Sequence, residues 1–286
     1  MKRRRLRTPA TSDRDADACA REAEQLWSDH RRRLRQTRRR PDAARVHALR
    51  IGTRRLLARL ELVRQLAPPA GLPRARRRLK RLLRATGAAR DARVQLRLFE
   101  RLTPGDTNPG CRKFHRRLRR RDRRLTRELA KALRTHESGW HGLKSRRLFR
   151  PLAEAGAALP AARTRALRLA AGRILERQPA ARTGDVRDRH RLRVALKKFR
   201  YLAETLPGPP AGLARLQRIQ ASLGDLHDFD LLLARLGQFA ARHPATARWL
   251  ETRRAQLQRR GQALLRRQRR LRFTAAELRT IIRGRP

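Results

Sequence analysis

Leucine, alanine and arginine recur at intervals of three and four residues over most of this chain, while the strict alternation that marks a strand is scarce. The pattern predicts an all-α protein. Proline and glycine interrupt it at Pro41, APPAGLP (67–73), Gly87, TPGDTNPG (103–110), SGWHG (138–142), Pro160, Gly184, PGPPAG (207–212), Gly224 and Pro244. These breakers delimit roughly ten helices, most of them about 12 to 28 residues long.

Two of the helices carry the same strip. VHALRIGTRR (46–55) places His47, Arg50 and Arg54 on successive turns, and RHRLRVALKK (189–198) repeats the relation with His190, Arg193 and Lys197. At about 100° per residue from His47, Arg50 falls near −60° and Arg54 near −20°, with Ala58 and Glu61 on the same side. Leu49, Thr53, Leu56, Leu60 and Val63 gather opposite and should be buried. In the second copy His190, Arg193, Lys197, Tyr201 and Glu204 share one face, against Leu192, Leu196, Phe199, Ala203 and Leu206.

The order of elements repeats as well. Each half runs from the cationic helix through a proline-rich turn containing AGL (Ala70–Leu72; Ala211–Leu213) to a second basic helix and a glycine. Around that glycine runs a short stretch that carries aspartate beyond it, TGAARDARV (86–94) and LGDLHDFDL (223–231). We read an internal duplication of about 140 residues that builds two helical bundles facing each other. The expected division is a disordered basic tail at 1–18, a first repeat at 19–140 and a second at 141–286. Aligning Gly87 with Gly224 sets Arg78 and Arg81 against Arg215 and Arg218.

Charge sharpens the picture. The 286 residues hold 77 Lys+Arg and 24 Asp+Glu, a net +53, and all but seven of the cations are arginine. Such an excess repels itself and attracts anions, so nucleic acid, inorganic polyphosphate and acidic membranes are the candidate partners. Arginine suits two-pronged phosphate contact, although a GC-rich genome produces the same bias. Side chains three and four residues apart on a helix lie about 5 to 6 Å from each other, so each strip is a row of cations suited to a polymer of phosphates. Two opposed rows would form a trough. Cys19 and Cys111 are too few to staple a chain of this size. MKRRRLR lacks a following apolar stretch, and no run reaches the roughly 18 apolar residues of a membrane span. A soluble cytoplasmic protein is expected.

The residues of these strips resemble the signature of the CHAD family, the conserved histidine α-helical domain. That signature reads here as His47, Arg50, Arg54 and Arg55, then Gly87, Arg90 and Asp91, and again as His190, Arg193, Lys197 and Lys198, then Gly224 and Asp228. The resemblance spans about residues 20 to 280. Thr86 stands where the family usually has leucine, and His227 replaces arginine in the second Arg-Asp pair. It implies two pseudo-symmetric helical bundles around a basic central channel that binds inorganic polyphosphate without catalysis, metal or cofactor, sometimes at polyphosphate granules. With few residues before the first helix, a stand-alone member is expected. The residues expected to hold the polymer are His47, Arg50, Arg54, Arg55, Arg78, Arg81, Arg90, His190, Arg193, Lys197, Lys198, Arg200, Arg215 and Arg218.

Two other readings compete. His190, His227, Asp228 and Asp230 imitate the ligand order of helical metal-dependent phosphohydrolases, but Arg90 takes the corresponding place in the first half and cannot ligate a metal. Sequence-independent nucleic-acid binding follows from charge alone, and RKFHRRLRRRDRRLTR (112–127) reads equally as a helix that lies on DNA or as a solvated one. Aromatic residues, at 4%, are too few for base-stacking platforms. Asp91 and Asp228, each just after a glycine break, are expected to face the positive N-terminus of the next helix, with Arg90 pairing to the aspartate.

Overall fold

The computed structural model describes residues 11–138, 140, 142–183, 186–208, 210–270 and 273–283. Among them are ten helices and no strand: α1 (Thr11–Arg39), α2 (Ala43–Gln65), α3 (Leu72–Leu102), α4 (Pro109–Ser138), α5 (Ser145–Ala153), α6 (Ala158–Thr183), α7 (Val186–Ala203), α8 (Leu213–Ala240), α9 (Pro244–Arg270) and α10 (Ala275–Arg283). The all-α expectation holds.

Most breakers fall between helices, because proline has no N–H to donate and fits best in a first turn. Pro73 lies in the first turn of α3 and Pro160 in that of α6, while Pro244 opens α9. Gly87 and Gly224 do not break anything. They lie inside α3 and α8, which run on past the expected ends. A mid-helix glycine costs about 1 kcal/mol relative to alanine, and burial of Leu82, Ala89 and Ala92 around one and Leu223, Leu226 and Phe229 around the other exceeds that. The expected tail at 1–18 is corrected over its last eight residues. Residues 11–18 belong to α1, whose buried stripe begins at Ala16 and continues through Cys19, Ala20, Ala23 and Trp27. Residues 1–10 and Gly184 lie outside the described residues.

The expected buried stripe of α2 is fully enclosed: Leu49, Thr53, Leu56, Leu60 and Val63 are each 0% exposed. Its counterpart on α7 buries Leu192, Leu196, Phe199 and Ala203, with Leu206 half-buried just beyond the helix. Both stripes enter one large core that also takes Trp27 from α1, Leu79 and Leu82 from α3 and Phe149 from α5. A smaller core joins Phe99 of α3, Cys111 and Phe114 of α4, Leu232 and Leu236 of α8 and Trp249 of α9. Each core draws on both sides of residue 140.

Across residue 140, α2 packs on α7, α3 on α8 and α4 on α9. The α4–α9 crossing is close because position 110 is glycine. A Cβ there would lie 2.2 Å from the Ala245 carbonyl oxygen, where Thr246 Oγ1 instead donates to the Gly110 carbonyl at 3.1 Å. The α2–α7 contact turns the two cationic faces toward each other.

Candidate anion-binding site

Arg50 leaves α2 and docks on α3. Its Nη1 donates to the Leu83 carbonyl and to Thr86 Oγ1, both at 2.7 Å, and Thr86 in turn donates to the Leu82 carbonyl at 2.8 Å. The departure of Thr86 from leucine therefore has a use: it supplies a buried acceptor for the guanidinium. We expect Thr86→Val to lower unfolding stability by about 1 kcal/mol, because Arg50 loses one of its two acceptors. Urea denaturation checks this, and an unchanged midpoint would refute it.

Arg90, one turn beyond Gly87 on α3, spans the two halves. It donates to Asp91 at 2.9 Å and to both carboxylate oxygens of Asp228 on α8 at 3.4 Å. Burial works against its charge, but Asp228 and Asp91 outweigh burial and hold Arg90 above the ordinary guanidinium value. Asp228 is itself raised by burial against the pull of Arg90 and Arg193. Neither aspartate caps a helix, as was expected of them. Both lie mid-helix, because α3 and α8 do not end at their glycines.

Around this bridge the two strips converge. Arg54 hydrogen-bonds the side chain of Tyr201 on α7 and acts electrostatically on Arg90 and Arg200, and the Arg200 guanidinium lies 4.4 Å above the centre of the Tyr201 ring. Arg193, only 6% exposed, feels Asp228, Arg90, Asp91 and Arg54. Lys197 faces Arg193 on its own helix, Arg54 and Arg50 on α2 and Arg90 on α3. Burial first, and those four cations second, push its pKa down to about 6. Lys197 is therefore largely neutral at pH 7 in the free protein.

The histidines behave likewise. Burial and then Arg90, Arg54, Arg50 and Arg200 hold His47 below the ordinary imidazole value. His190 is lowered by burial and by Arg193 and Lys197. Its ring centroid lies 5.0 Å from that of His227, which burial, Arg193 and His190 bring down to about 4. In all three, burial and the neighbouring cations favour the uncharged ring, which can donate or accept a hydrogen bond.

Not every expected residue reaches this place. Arg78 and Arg81 turn toward Arg74 and toward His136 of α4. Arg215 pairs with Glu277 of α10 at 3.0 Å, and Arg218 borders Arg266, Arg267 and Arg270 of α9. The reason is the continuous helix: twelve and nine residues before Arg90, Arg78 and Arg81 are rotated by about 120° and 180° from it, and Arg215 and Arg218 stand at the same offsets from His227. Lys198 looks away toward Arg173, Lys80, Arg177 and Glu61. Arg55 is exposed and pairs with Glu204, beside Arg200. The structure thus gathers His47, Arg50, Arg54, Arg90, His190, Arg193, Lys197 and Arg200.

It also adds residues that the strips did not announce. Arg121 of α4 and Arg235 of α8 are lowered chiefly by burial; Arg121 feels Arg235, and Arg235 feels Asp91. Arg235 had a signal, since seven residues beyond Asp228 is two turns on the same face. Arg121 had none of its own in an arginine-dense helix.

This arrangement concentrates cations that have few internal partners. Asp91, Asp228 and Glu204, the last paired with Arg200 at 3.4 Å, oppose Arg50, Arg54, Arg90, Arg193 and Arg200, with Lys197 neutral among them. At an effective dielectric of about 20, two like charges 4 Å apart repel by about 4 kcal/mol, so such a cluster favours a negative neighbour. A metal finds a poorer setting. Asp228 is engaged by Arg90 and Asp230 by Arg189 at 2.9 Å, and among the described residues no three His, Cys, Asp or Glu side chains form a metal-binding group.

A family model for the CHAD domain matches residues 18–236. The chain belongs to the CHAD domain family. No curated protein matches it. The matched span carries the whole convergence of α2, α3, α7 and α8 and ends within α8, so α9 and α10 of this CHAD protein lie beyond it. The CHAD family is associated with polyphosphate binding. No helix among the described residues is long and apolar enough to cross a membrane.

Proposed function

We propose that this protein binds inorganic polyphosphate, without catalysis, along a basic channel between the His/Arg faces of α2 and α7. The observation that carries the reading is the mutual approach of Arg50 and Arg54 with Arg193 and Lys197, two rows from helices far apart in the sequence. The polymer's phosphates lie along the rows. Arg50, Arg54, Arg193 and Arg200 donate to the non-bridging oxygens, Lys197 adds a point charge, and His47 and His190 donate hydrogen bonds at the rim. Bound phosphate draws a proton onto Lys197, because a negative neighbour favours the charged form. The packing of α2 on α7, α3 on α8 and α4 on α9 supports the pseudo-twofold duplication this channel requires. Recruitment to polyphosphate granules in the cytoplasm is the cellular role that follows.

Nucleic acid remains the rival ligand, favoured by the outer face of α4. There Arg112, Lys113, Arg116, Arg119, Arg120, Arg123 and Arg127 are exposed while Phe114, Leu118 and Leu125 are buried. That face is a convex helix surface and holds duplex DNA only by charge. Competition decides between them. At near-physiological salt, long-chain polyphosphate should displace labelled duplex DNA at phosphate concentrations at least about tenfold below those at which unlabelled DNA does, given the more desolvated cations of the channel. Equal displacement by the two polymers would overturn the assignment.

A further inference from the structure

A second cluster of cations lies on other elements, where α1 passes the start of α5. A cavity of about 800 Å³ opens there, and its walls include Arg31 and Arg35, one turn apart on α1, with Lys144, Arg146 and Arg147 at the start of α5. Among the described residues no acidic side chain lines it. The first-turn amides of a helix are its positive end, and acidic or capping side chains ordinarily occupy that place. Here the N-cap is Lys144, in extended conformation (φ −86°, ψ 123°) and without a side-chain cap bond, and the first turn holds no acid. The local charge is thus the wrong way round for a helix start that stands alone.

Trp140 supplies an independent sign. It lines the same cavity and is 4% exposed, yet its indole Nε1–H finds no acceptor among the described residues. A buried donor left unsatisfied is costly and uncommon in a folded protein. A single guest carrying several acceptor oxygens would satisfy the indole, cap the α5 amides and balance five cations together. A phosphate group does so with three oxygens and a helix N-terminus to receive it. The cavity exceeds the size of one phosphate, and its cations are spread over two helices.

We propose that this cavity is a second anion site, separate from the α2–α7 channel, that takes a short, multiply charged phosphate chain such as pyrophosphate or tripolyphosphate. Arg31 and Arg35 grip one end from α1, and the amides of α5 with Arg146 and Arg147 hold the other. Trp140 donates its indole N–H to a central oxygen.

The chain carries its own reporter. Trp27 and Trp140 are in edge-to-face contact at 5.0 Å, Trp27 lines the cavity too, and the third tryptophan, Trp249, belongs to the smaller core. In the full chain with Trp249→Phe, titration with tripolyphosphate should give a saturable fluorescence change. Arg146→Ala with Arg147→Ala should raise its Kd at least about tenfold, since both side chains are exposed and their loss leaves the core intact. Arg50→Ala with Arg54→Ala should leave that titration unchanged while weakening the long polymer, which separates this site from the channel. Isothermal titration of the chain with all three tryptophans should show one class of tripolyphosphate site lost in the Arg146/Arg147 variant, so the test does not depend on Trp249→Phe folding. No saturable response, an unaltered Kd in the Arg146/Arg147 variant, or a response abolished by the Arg50/Arg54 pair would each overturn the proposal.

Discussion

Replacing Arg50, Arg54, Arg193 and Lys197 together by alanine should lower affinity for long-chain polyphosphate at least about a hundredfold at near-physiological salt. Charge-assisted hydrogen bonds contribute roughly 1.5–3 kcal/mol each, so the loss of only two already removes about 3 kcal/mol, or two orders of magnitude. Total charge is not the cause being tested. Arg78, Arg81, Arg215 and Arg218 offer a control, since changing them also removes four basic side chains, and at least as much charge, but from faces turned away from the convergent strips. Polyphosphate affinity in that control should stay within about threefold of the unsubstituted protein, apart from general screening effects. Duplex DNA, held by diffuse charge, should respond to the two sets alike. Fluorescence anisotropy with labelled polymer reads both. Equal losses in the two variants would mean that the convergent strips are not the site.

A second large effect should appear with pH. Lys197 is neutral above about 6 in the free protein and takes up a proton when phosphate arrives, so binding and protonation reinforce each other. Affinity should rise as pH falls from 8 to 6, by up to tenfold per unit and so up to about a hundredfold over the window, the limit set by one proton. Internal phosphates of the polymer keep their strong-acid charge throughout, so the change belongs to the protein. Lys197→Arg, charged at all these pH values, should flatten the profile. Calorimetry at pH 7 in two buffers of different ionisation enthalpy should reveal proton uptake in the unsubstituted protein and little in the variant. An affinity indifferent to pH between 6 and 8 would refute this account.

The same residue couples function to stability with a definite sign. Unfolded, the lysine keeps its proton up to about 10.5; folded, it loses it above about 6. Between those values the unfolded state binds more protons, so stability rises with pH through that window and the penalty is fully present below about 6. Lys197→Met should therefore raise stability at pH 7, on the order of 1–3 kcal/mol, while weakening polyphosphate binding.

How much of this was written along the chain differs from element to element. The stripe Leu49, Thr53, Leu56, Leu60 and Val63 was legible because a 3.6-residue period is a local property, and one buried face follows from it whatever packs there. The strip His47, Arg50 and Arg54 with its repeat His190, Arg193 and Lys197 was legible for the same reason, since like residues at like spacing share a face. Gly87 and Gly224 were misleading: a glycine's propensity costs about as much as one buried methyl group returns, so only the neighbours' burial decides. Because α3 and α8 run through their glycines, Asp91 and Asp228 lie mid-helix rather than at caps, and Arg78, Arg81, Arg215 and Arg218 stand on other faces than Arg90 and His227.

By itself, then, the sequence determined the helical class, the buried stripe of each strip helix, the two similar cationic ridges and the large positive charge, all consequences of period and charge along single elements. Tertiary structure alone decided that α2 meets α7, that Arg90 reaches across to Asp228, that Thr86 receives Arg50 and that Lys197 sits among four arginines. Those facts depend on which surfaces exclude water together and at what rotation, and both are settled by the sum of many weak contacts between distant segments rather than by any residue's neighbours along the chain.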